Sequence, residues 1–116
     1  MSVPKKYEHI DFTPPQDAAD CAKKGKELHK TFDRGGTDVG MARATQFANR
    51  ETMSPDTIER TVSYFARHEV DKDADGWGDE DDPSAGWIAW LLWGGDPGRE
   101  WAEGIKEKME KADEDA

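Results

Sequence analysis

The sequence predicts an all-α fold, a compact bundle of four to five short helices with a helix-turn-helix-like pair and an acidic loop. Apolar residues recur at spacings of three and four along several segments, which is the period of a helix face. Most of these segments have a capping residue before them and glycine or proline after them. No segment alternates apolar and polar residues for long enough to require a strand. The chain of 116 residues suffices for one domain with one modest core.

The N-terminal residues 1–13 show little periodicity, so we expect an extended lead-in that closes at the helix-start signal Thr13-Pro14-Pro15. A first helix should follow and stop at Asp33-Arg34-Gly35-Gly36, because glycine readily adopts the left-handed geometry that ends helices. Gly25 on its apolar face would let another backbone approach closely. That face comprises Ala18, Cys21, Ala22, Gly25, Leu28 and Phe32.

Two further helices are predicted in the middle of the chain. Thr37 or Asp38 can cap the first of them, and Ser54 can cap the second, with Pro55 at its first helical position. Asp56 then lies in the first turn, where a negative charge suits the helix dipole. The apolar positions are Met41, Ala44, Phe47 and Ala48 in one helix and Ile58, Val62, Phe65 and Ala66 in the other.

The C-terminal third predicts a short apolar helix and a longer amphipathic one. Ser84 can cap a nearly all-apolar helix over residues 87–93, which we expect at the centre of the core. Gly94-Gly95 should end it, and Asp96-Pro97 should start a last helix through Trp101, Ile105 and Met109. We therefore expect one helical domain over residues 14–112, followed by a disordered acidic tail at 113–116.

Composition limits the class of protein. The formal net charge is −10, and residues 71–82 alone hold seven acidic residues and one lysine. Cys21 is the single cysteine, so no internal disulfide is expected and a reducing compartment is favoured. The longest apolar run, residues 87–93, is far too short to span a bilayer, and the first residues lack the apolar stretch of a signal peptide. These features predict a soluble intracellular protein that does not contact membranes.

The acidic loop at residues 71–82 fits the pattern of an EF-hand calcium loop. Such a loop supplies oxygen ligands from positions 1, 3, 5, 7, 9 and 12, with glycine at position 6 for the turn. Gly76 occupies the turn, and the candidate Ca²⁺ ligands are Asp71, Asp73, Asp75, Trp77 through its backbone carbonyl, Asp79 and Asp82. Gly78 at position 8 and the short aspartate at position 12 weaken the match. The alternative is a solvated acidic connector that binds no metal.

Residues 44–60 resemble a helix-turn-helix motif. Phe47, Ala48, Met53 and Ile58 take its packing positions, although Thr52 stands where the turn glycine is usual. Residues that could then contact nucleic acid are Arg43, Arg50, Thr57 and Arg60. The acidic charge of the chain opposes phosphate binding, so two packed helices without a nucleic-acid role are the favoured alternative.

Tryptophans form the third notable set. Trp87, Trp90 and Trp93 are spaced by three and could form a partner-contact face on one short helix. Core packing is the more common use of such residues in a domain with few other hydrophobics. Catalysis has little support, because the three histidines are scattered and no serine-hydrolase or zinc-protease motif occurs. We therefore predict that the protein is not an enzyme.

Three blocks of sequence carry a resemblance to a known family. The blocks are Arg34-Gly35-Gly36-Thr37 with Val39-Gly40 and Ala42-Arg43-Ala44; residues 63–72, SYFARHEVDK; and residues 83–96, PSAGWIAWLLWGGD. Together they resemble a small module of tailed bacteriophages and prophages, found in or beside head-maturation (prohead) proteases and structural proteins. The resemblance covers about residues 11–104 and implies a viral context, without implying a chemical mechanism.

Taken with that resemblance, the sequence predicts a non-enzymatic phage or prophage protein that acts by protein contact, in head assembly or as an accessory virion component. Its partner would be a phage or host protein, and its location the host cytoplasm or the virion. Two alternatives remain open: a helix-turn-helix protein that binds nucleic acid, and an EF-hand-like module stabilised by Ca²⁺.

Overall fold

The computed structural model of the chain describes residues 4–115, which contain five α-helices and no strand. The helices are α1 (Gln16–Phe32), α2 (Asp38–Ala48), α3 (Pro55–His68), α4 (Ala85–Leu92) and α5 (Gly95–Asp115). A short 3-10 helix, Lys5–Tyr7, precedes α1, and a second one, Glu69–Asp73, follows α3. The all-α prediction is confirmed, with five helices in the bundle.

The starts of α2, α3 and α4 coincide with predicted capping residues, whereas α5 begins at Gly95, one residue before its predicted start. Thr37 accepts a hydrogen bond from the backbone N–H of Gly40 at 3.0 Å, which satisfies one of the free donors at the start of α2. Ser54 and Ser84 cap α3 and α4 in the same way. Helix α1 ends at Phe32, directly before the predicted stop segment. The residue at its C-cap is Asp33, which is left-handed with φ of 54°, and Gly35 also has a positive φ.

Helix α1 is the centre of the bundle and packs against α2, α4 and α5. Helices α1 and α4 approach each other closely at Gly25, where an added Cβ would lie 2.8 Å from the backbone nitrogen of Leu92. This confirms the expected close packing of a second backbone on Gly25. The first apolar cluster of the core joins residues of all five helices, including Ala22, Phe47 and Ile88.

A second apolar cluster is aromatic and lies between α3 and α4. Tyr64 and Phe65 of α3 pack with Trp90 of α4 and with Trp93, which directly follows α4. Trp77 of the acidic loop packs edge-on against Trp90, with ring centroids 5.3 Å apart. The short apolar helix therefore contributes to both clusters, in line with its predicted place in the core.

Residues 4–13 and 113–115 are more ordered than the sequence indicates. In the lead-in, Tyr7, Ile10 and Phe12 are buried, and the Phe12 carbonyl accepts a hydrogen bond from the N–H of Met53 at 3.0 Å. Helix α5 continues through residue 115, beyond the expected domain end at 112, and Asp113 accepts a 2.6 Å hydrogen bond from the Tyr7 hydroxyl. The lead-in and the end of α5 thus stabilise each other, a long-range contact that local periodicity does not reveal.

The helix-turn-helix prediction requires a correction. Helix α2 packs on α1 and α4, and α3 packs mainly on α5, so α2 and α3 do not pack against each other in the described chain. In the connection between them, Arg50 takes a positive φ of 50° and its Nε donates to the Pro14 carbonyl at 2.9 Å. The two helices do not touch each other, although both contact α4, and a groove lies between them.

Among residues 4–115, no helix is both long enough and apolar enough to cross a bilayer.

Candidate binding groove

A groove of about 920 Å³ lies between α2 and α3, with α4 beneath it. Its volume is at the upper end of the range for small-molecule sites. Four segments line it: the connection before α2, α2 itself, α3 with the following 3-10 helix, and α4 with Trp93. The lining residues are Gly35, Gly36, Thr37, Val39, Gly40, Arg43, Glu59, Arg60, Ser63, Tyr64, Arg67, His68, Asp71, Ala85, Gly86, Ala89 and Trp93.

An aromatic stack lies within the groove wall. The rings of Tyr64 and Trp93 are nearly parallel, at 5° with centroids 4.3 Å apart. His68 stacks on Tyr64 as well, with centroids 4.5 Å apart, and the Arg43 guanidinium lies 5.1 Å from the Trp93 ring centre. Stacked aromatic and guanidinium groups hold one another in place. The groove therefore has a rigid wall made by side chains from three separate segments.

Two polar groups in this wall lack partners. Arg43 is 8% exposed and Tyr64 is 6% exposed, yet Arg43 Nε and Tyr64 Oη have no hydrogen-bond partner within residues 4–115. Arg43 Nη1 donates to Gln46 Oε1 at 2.6 Å, so the guanidinium is held at one end. An unpaired buried polar group costs about 1–3 kcal/mol, so the wall keeps hydrogen-bonding capacity at a cost to stability.

Burial also sets the protonation of these two groups. Desolvation raises the pKa of Tyr64, with the nearby Asp71 carboxylate adding to the effect, so its hydroxyl stays neutral at physiological pH. Desolvation lowers the pKa of Arg43, and the neighbouring Arg60 lowers it further. A guanidinium nevertheless stays charged in proteins, so Arg43 places a positive charge beside the groove.

The charge in the groove is opposite in sign to that of the chain. Arg43, Arg60 and Arg67 line it, on a chain whose net charge is −10. Arg60 pairs with Asp56 at 2.9 Å, whereas the ion pairs among residues 4–115 include none made by Arg43 or Arg67. Within the described chain, the groove thus retains two arginines without a carboxylate partner.

The two lining carboxylates already have partners. Asp71 Oδ2 lies 3.0 Å from Nδ1 of His68, and Glu59 Oε2 lies 3.9 Å from Nζ of Lys106 on α5. Each of these carboxylates therefore has a partner other than Arg43 and Arg67.

Glycines close one end of the groove. Gly35 has φ of +77°, and a Cβ there would lie 2.5 Å from the Ala85 carbonyl oxygen, so the connection before α2 passes directly over the start of α4. A Cβ on Gly86 would lie 3.0 Å from the Cβ of Asp71. Only residues without side chains allow these three segments to meet there.

One large apolar residue lies exposed at the groove. Val39 of α2 is 57% exposed and belongs to the lining. The other exposed large hydrophobic of the described chain, Val70, is 72% exposed and does not line the groove. The two valines are therefore a natural pair for distinguishing the groove from the rest of the surface.

The predicted calcium ligands are spread along the loop in this structure. Asp71 and Asp73 belong to a 3-10 helix, Asp79 accepts from the N–H groups of residues 81 and 82, and Asp82 pairs with Arg34 at 2.7 Å. The Gly76 carbonyl accepts from the N–H groups of residues 79 and 84, which folds the loop back on itself. Within residues 4–115, no group of three or more His, Cys, Asp or Glu side chains is placed to hold a metal ion, and Asp75 belongs to none. The remaining predicted ligand, the Trp77 carbonyl, belongs to the same folded loop. Calcium binding stays a prediction from the sequence pattern.

The predicted nucleic-acid contacts do not share one exposed face. Arg43 and Thr57 are buried, and Arg50 is held against the Pro14 carbonyl. Arg60 is exposed, and it lines the groove together with Arg43. A helix that reads DNA presents its contact side chains together on its outer face, which this arrangement does not provide.

The tryptophans divide between core and groove. Trp90 is buried in the aromatic cluster, and Trp87 is partly buried beside Lys24, whose Nζ lies 5.5 Å from its ring centre. Trp93 alone of these three lines the groove. The tryptophan spacing therefore does not form a single exposed contact face.

Sequence reasoning did not single out Tyr64, Arg67, His68 or Val39 as site residues. A signal for them was nevertheless present, because the three blocks at residues 34–44, 63–72 and 83–96 supply every lining residue except Glu59 and Arg60. Segments far apart in the chain thus converge on one groove.

The fold and this groove define the chain as a small all-helical module with a basic, aromatic-walled groove. Comparison of the chain with protein-family models, with curated proteins and with solved structures found no match.

Proposed function

We propose that this chain is a non-enzymatic binding module that acts by protein–protein contact through the groove between α2 and α3. The observation that carries the proposal is the convergence of the three distinctive sequence blocks on this groove. Residues that build only a core are distributed through the interior, whereas these blocks place glycines, arginines and aromatics around one open surface.

The composition of the groove supports a protein partner. Tryptophan, tyrosine and arginine are the residues that most often dominate binding energy at protein interfaces, and Trp93, Tyr64 and Arg43 form its wall. Their mutual stacking fixes their rotamers, so a partner would lose little free energy by ordering them. Val39 adds an exposed apolar contact.

Binding fits the groove better than covalent catalysis. His68 is the histidine of the groove, and its ring is stacked on Tyr64 and bonded to Asp71 through Nδ1. Among the hydrogen bonds of residues 4–115, none joins a hydroxyl or thiol to this ring, although Ser63 also lines the groove. A nucleophile and its base are normally within hydrogen-bond reach of each other.

The resemblance to phage and prophage modules supports a viral partner. We propose that the bound protein belongs to the phage head or its assembly apparatus, or is a host protein used in assembly. The chain would then act in the host cytoplasm or as an accessory part of the virion.

A matched pair of variants tests this function. Val39→Glu places a charge at the groove and Val70→Glu places the same charge on exposed surface outside it. We expect the tagged wild-type chain and Val70→Glu to copurify with identified head or assembly proteins from cells that produce the particles, and Val39→Glu to lose them. Absence of the wild-type chain from particles and from every head protein would contradict the proposal, as would equal recovery of both variants.

A further inference from the structure

We infer that the groove recognises a partner segment that carries a carboxylate beside an apolar or aromatic side chain. The inference rests on the proposed function and specifies the chemistry of its partner. The carboxylate would bind Arg43 and Arg67, and the apolar side chain would pack against Trp93 and Val39.

The first observation is that Arg43 and Arg67 have no carboxylate partner among residues 4–115. The chain has 26 acidic and 16 basic residues, so a basic side chain has many carboxylates with which to pair. Arg43 is nevertheless about nine-tenths buried without one, and its Nε is an unpaired donor. Guanidinium groups bind carboxylates through two parallel hydrogen bonds, a geometry that would use the capacity left free at this site.

The second observation concerns the neutral Tyr64 hydroxyl. It is also without a partner in the described chain, and it belongs to the same stack as Arg43 through Trp93. A hydroxyl and a guanidinium both donate hydrogen bonds, so a ligand that is rich in acceptor oxygens suits both. Because both atoms are covered in the free chain, we expect small side-chain shifts when the ligand binds.

Charge distribution favours a peptide over a nucleic acid. A polyphosphate strand must lie along many phosphates, and the net charge of −10 would repel the portions outside the groove. A peptide segment presents one or two carboxylates only at the groove, where Arg43, Arg60 and Arg67 gather. The paired carboxylates of Glu59 and Asp71 lie at the same surface and would reject a second, misplaced acidic side chain.

Selection from a random dodecapeptide display library on the whole chain tests the inference, since it samples many partner sequences at once. We expect enriched peptides to contain Asp or Glu next to Leu, Phe, Tyr or Trp. Synthetic versions of these peptides would then be measured by fluorescence anisotropy. Replacing their acids by Asn or Gln should weaken binding about tenfold, corresponding to the loss of one charge-assisted hydrogen bond.

Variants of the chain locate the binding. Arg67 is exposed and makes no ion pair in the described chain, so Arg67→Gln should fold normally and bind the selected peptides about tenfold more weakly. Lys108→Gln, at an exposed position of α5, removes the same charge away from the groove and should bind as the wild type does. Arg43→Gln provides a second groove variant, with its thermal midpoint as the check on folding.

Three results would overturn the inference: no enrichment, enrichment of peptides without acids, or equal binding by Arg67→Gln and Lys108→Gln. Groove-dependent binding of a single-stranded DNA oligonucleotide, or of a second copy of this chain seen by light scattering, would assign a different occupant. Enrichment of acid-free peptides that require Val39 would leave the proposed protein contact intact and refute only the carboxylate.

Discussion

The two tyrosines of the chain have opposite hydrogen-bonding situations, although both rings are buried. Tyr7 donates to Asp113 at 2.6 Å and joins the lead-in to α5. Tyr64 lies in the groove wall, and its hydroxyl has no partner among residues 4–115. The contrast supports the idea that Tyr64 contributes to binding and Tyr7 to stability.

Conservative replacement separates these roles. Tyr64→Phe removes an unpaired buried hydroxyl, so we expect the free energy of unfolding to stay constant or rise by up to about 1 kcal/mol. Tyr7→Phe removes a formed hydrogen bond and should lower it by about 1 kcal/mol. Urea denaturation measures both. A clear loss of stability in Tyr64→Phe would mean that its hydroxyl has a partner in solution.

Alkaline pH provides a second test of Tyr64. Burial raises its folded-state pKa above the unfolded value of about 10, so its contribution to stability is complete below pH 10 and declines as pH rises above it. We expect the wild type to lose stability more steeply than Tyr64→Phe between about pH 10 and 11.5. Identical slopes in urea denaturation across this range would contradict the burial of an unpaired phenol.

At the residue scale the sequence predicted local features well. Thr37, Ser54 and Ser84 were identifiable as caps, because the residues they bond are three positions away. The burial of Arg43 could not be predicted from the sequence, because it depends on Trp93, which is distant in the chain. The helix-turn-helix alternative offers Arg43 as a nucleic-acid contact, whereas in the structure its guanidinium lies against the Trp93 ring.

At the scale of helices, two glycines test how the bundle is packed. Gly25 of α1 lies against the backbone of Leu92, whereas a Cβ added to Gly104 of α5 would meet no other part of the described chain within 4 Å. Both glycines lie inside helices, so the gain in helix propensity on substitution by alanine should be similar at the two positions.

Alanine substitution should therefore have opposite effects at these positions. Gly25→Ala would force α1 and α4 apart and should lower the free energy of unfolding by about 1–3 kcal/mol. Gly104→Ala should raise it by about 0.5–1 kcal/mol, because alanine favours the helix and meets nothing. Thermal or urea denaturation gives the comparison. Equal effects would contradict the packing of α1 on α4.

Helix existence was largely predictable, and helix pairing was not. The apolar periodicity and caps of α2 and α3 identify both helices, and their short connection suggested that they pack together. Instead α3 packs on α5, to which the buried lead-in also attaches. The groove arises from this pairing, so local pattern alone could not place it.

At the scale of the whole molecule, the charge of −10 opposes the compact state. Screening by salt should relieve this repulsion, so we expect the thermal midpoint to rise with NaCl concentration.

Divalent cations separate the two interpretations of the acidic loop. If the loop is a solvated connector, Ca²⁺ and Mg²⁺ at equal ionic strength should act alike, because Asp71, Asp79 and Asp82 are engaged with other groups. A rise selective for Ca²⁺ and lost in Asp75→Asn would instead establish the loop as a metal site.

The central claim is that the groove between α2 and α3 is the contact surface of this module. Site-specific photo-crosslinking tests it most directly, with a photoreactive amino acid placed at Val39 in one chain and at Val70 in another. In cells that produce the particles, we expect a discrete protein adduct from position 39 and none from position 70. Adducts from position 70 alone, equal adducts from both, or crosslinks at 39 only to nucleic acid would contradict the account.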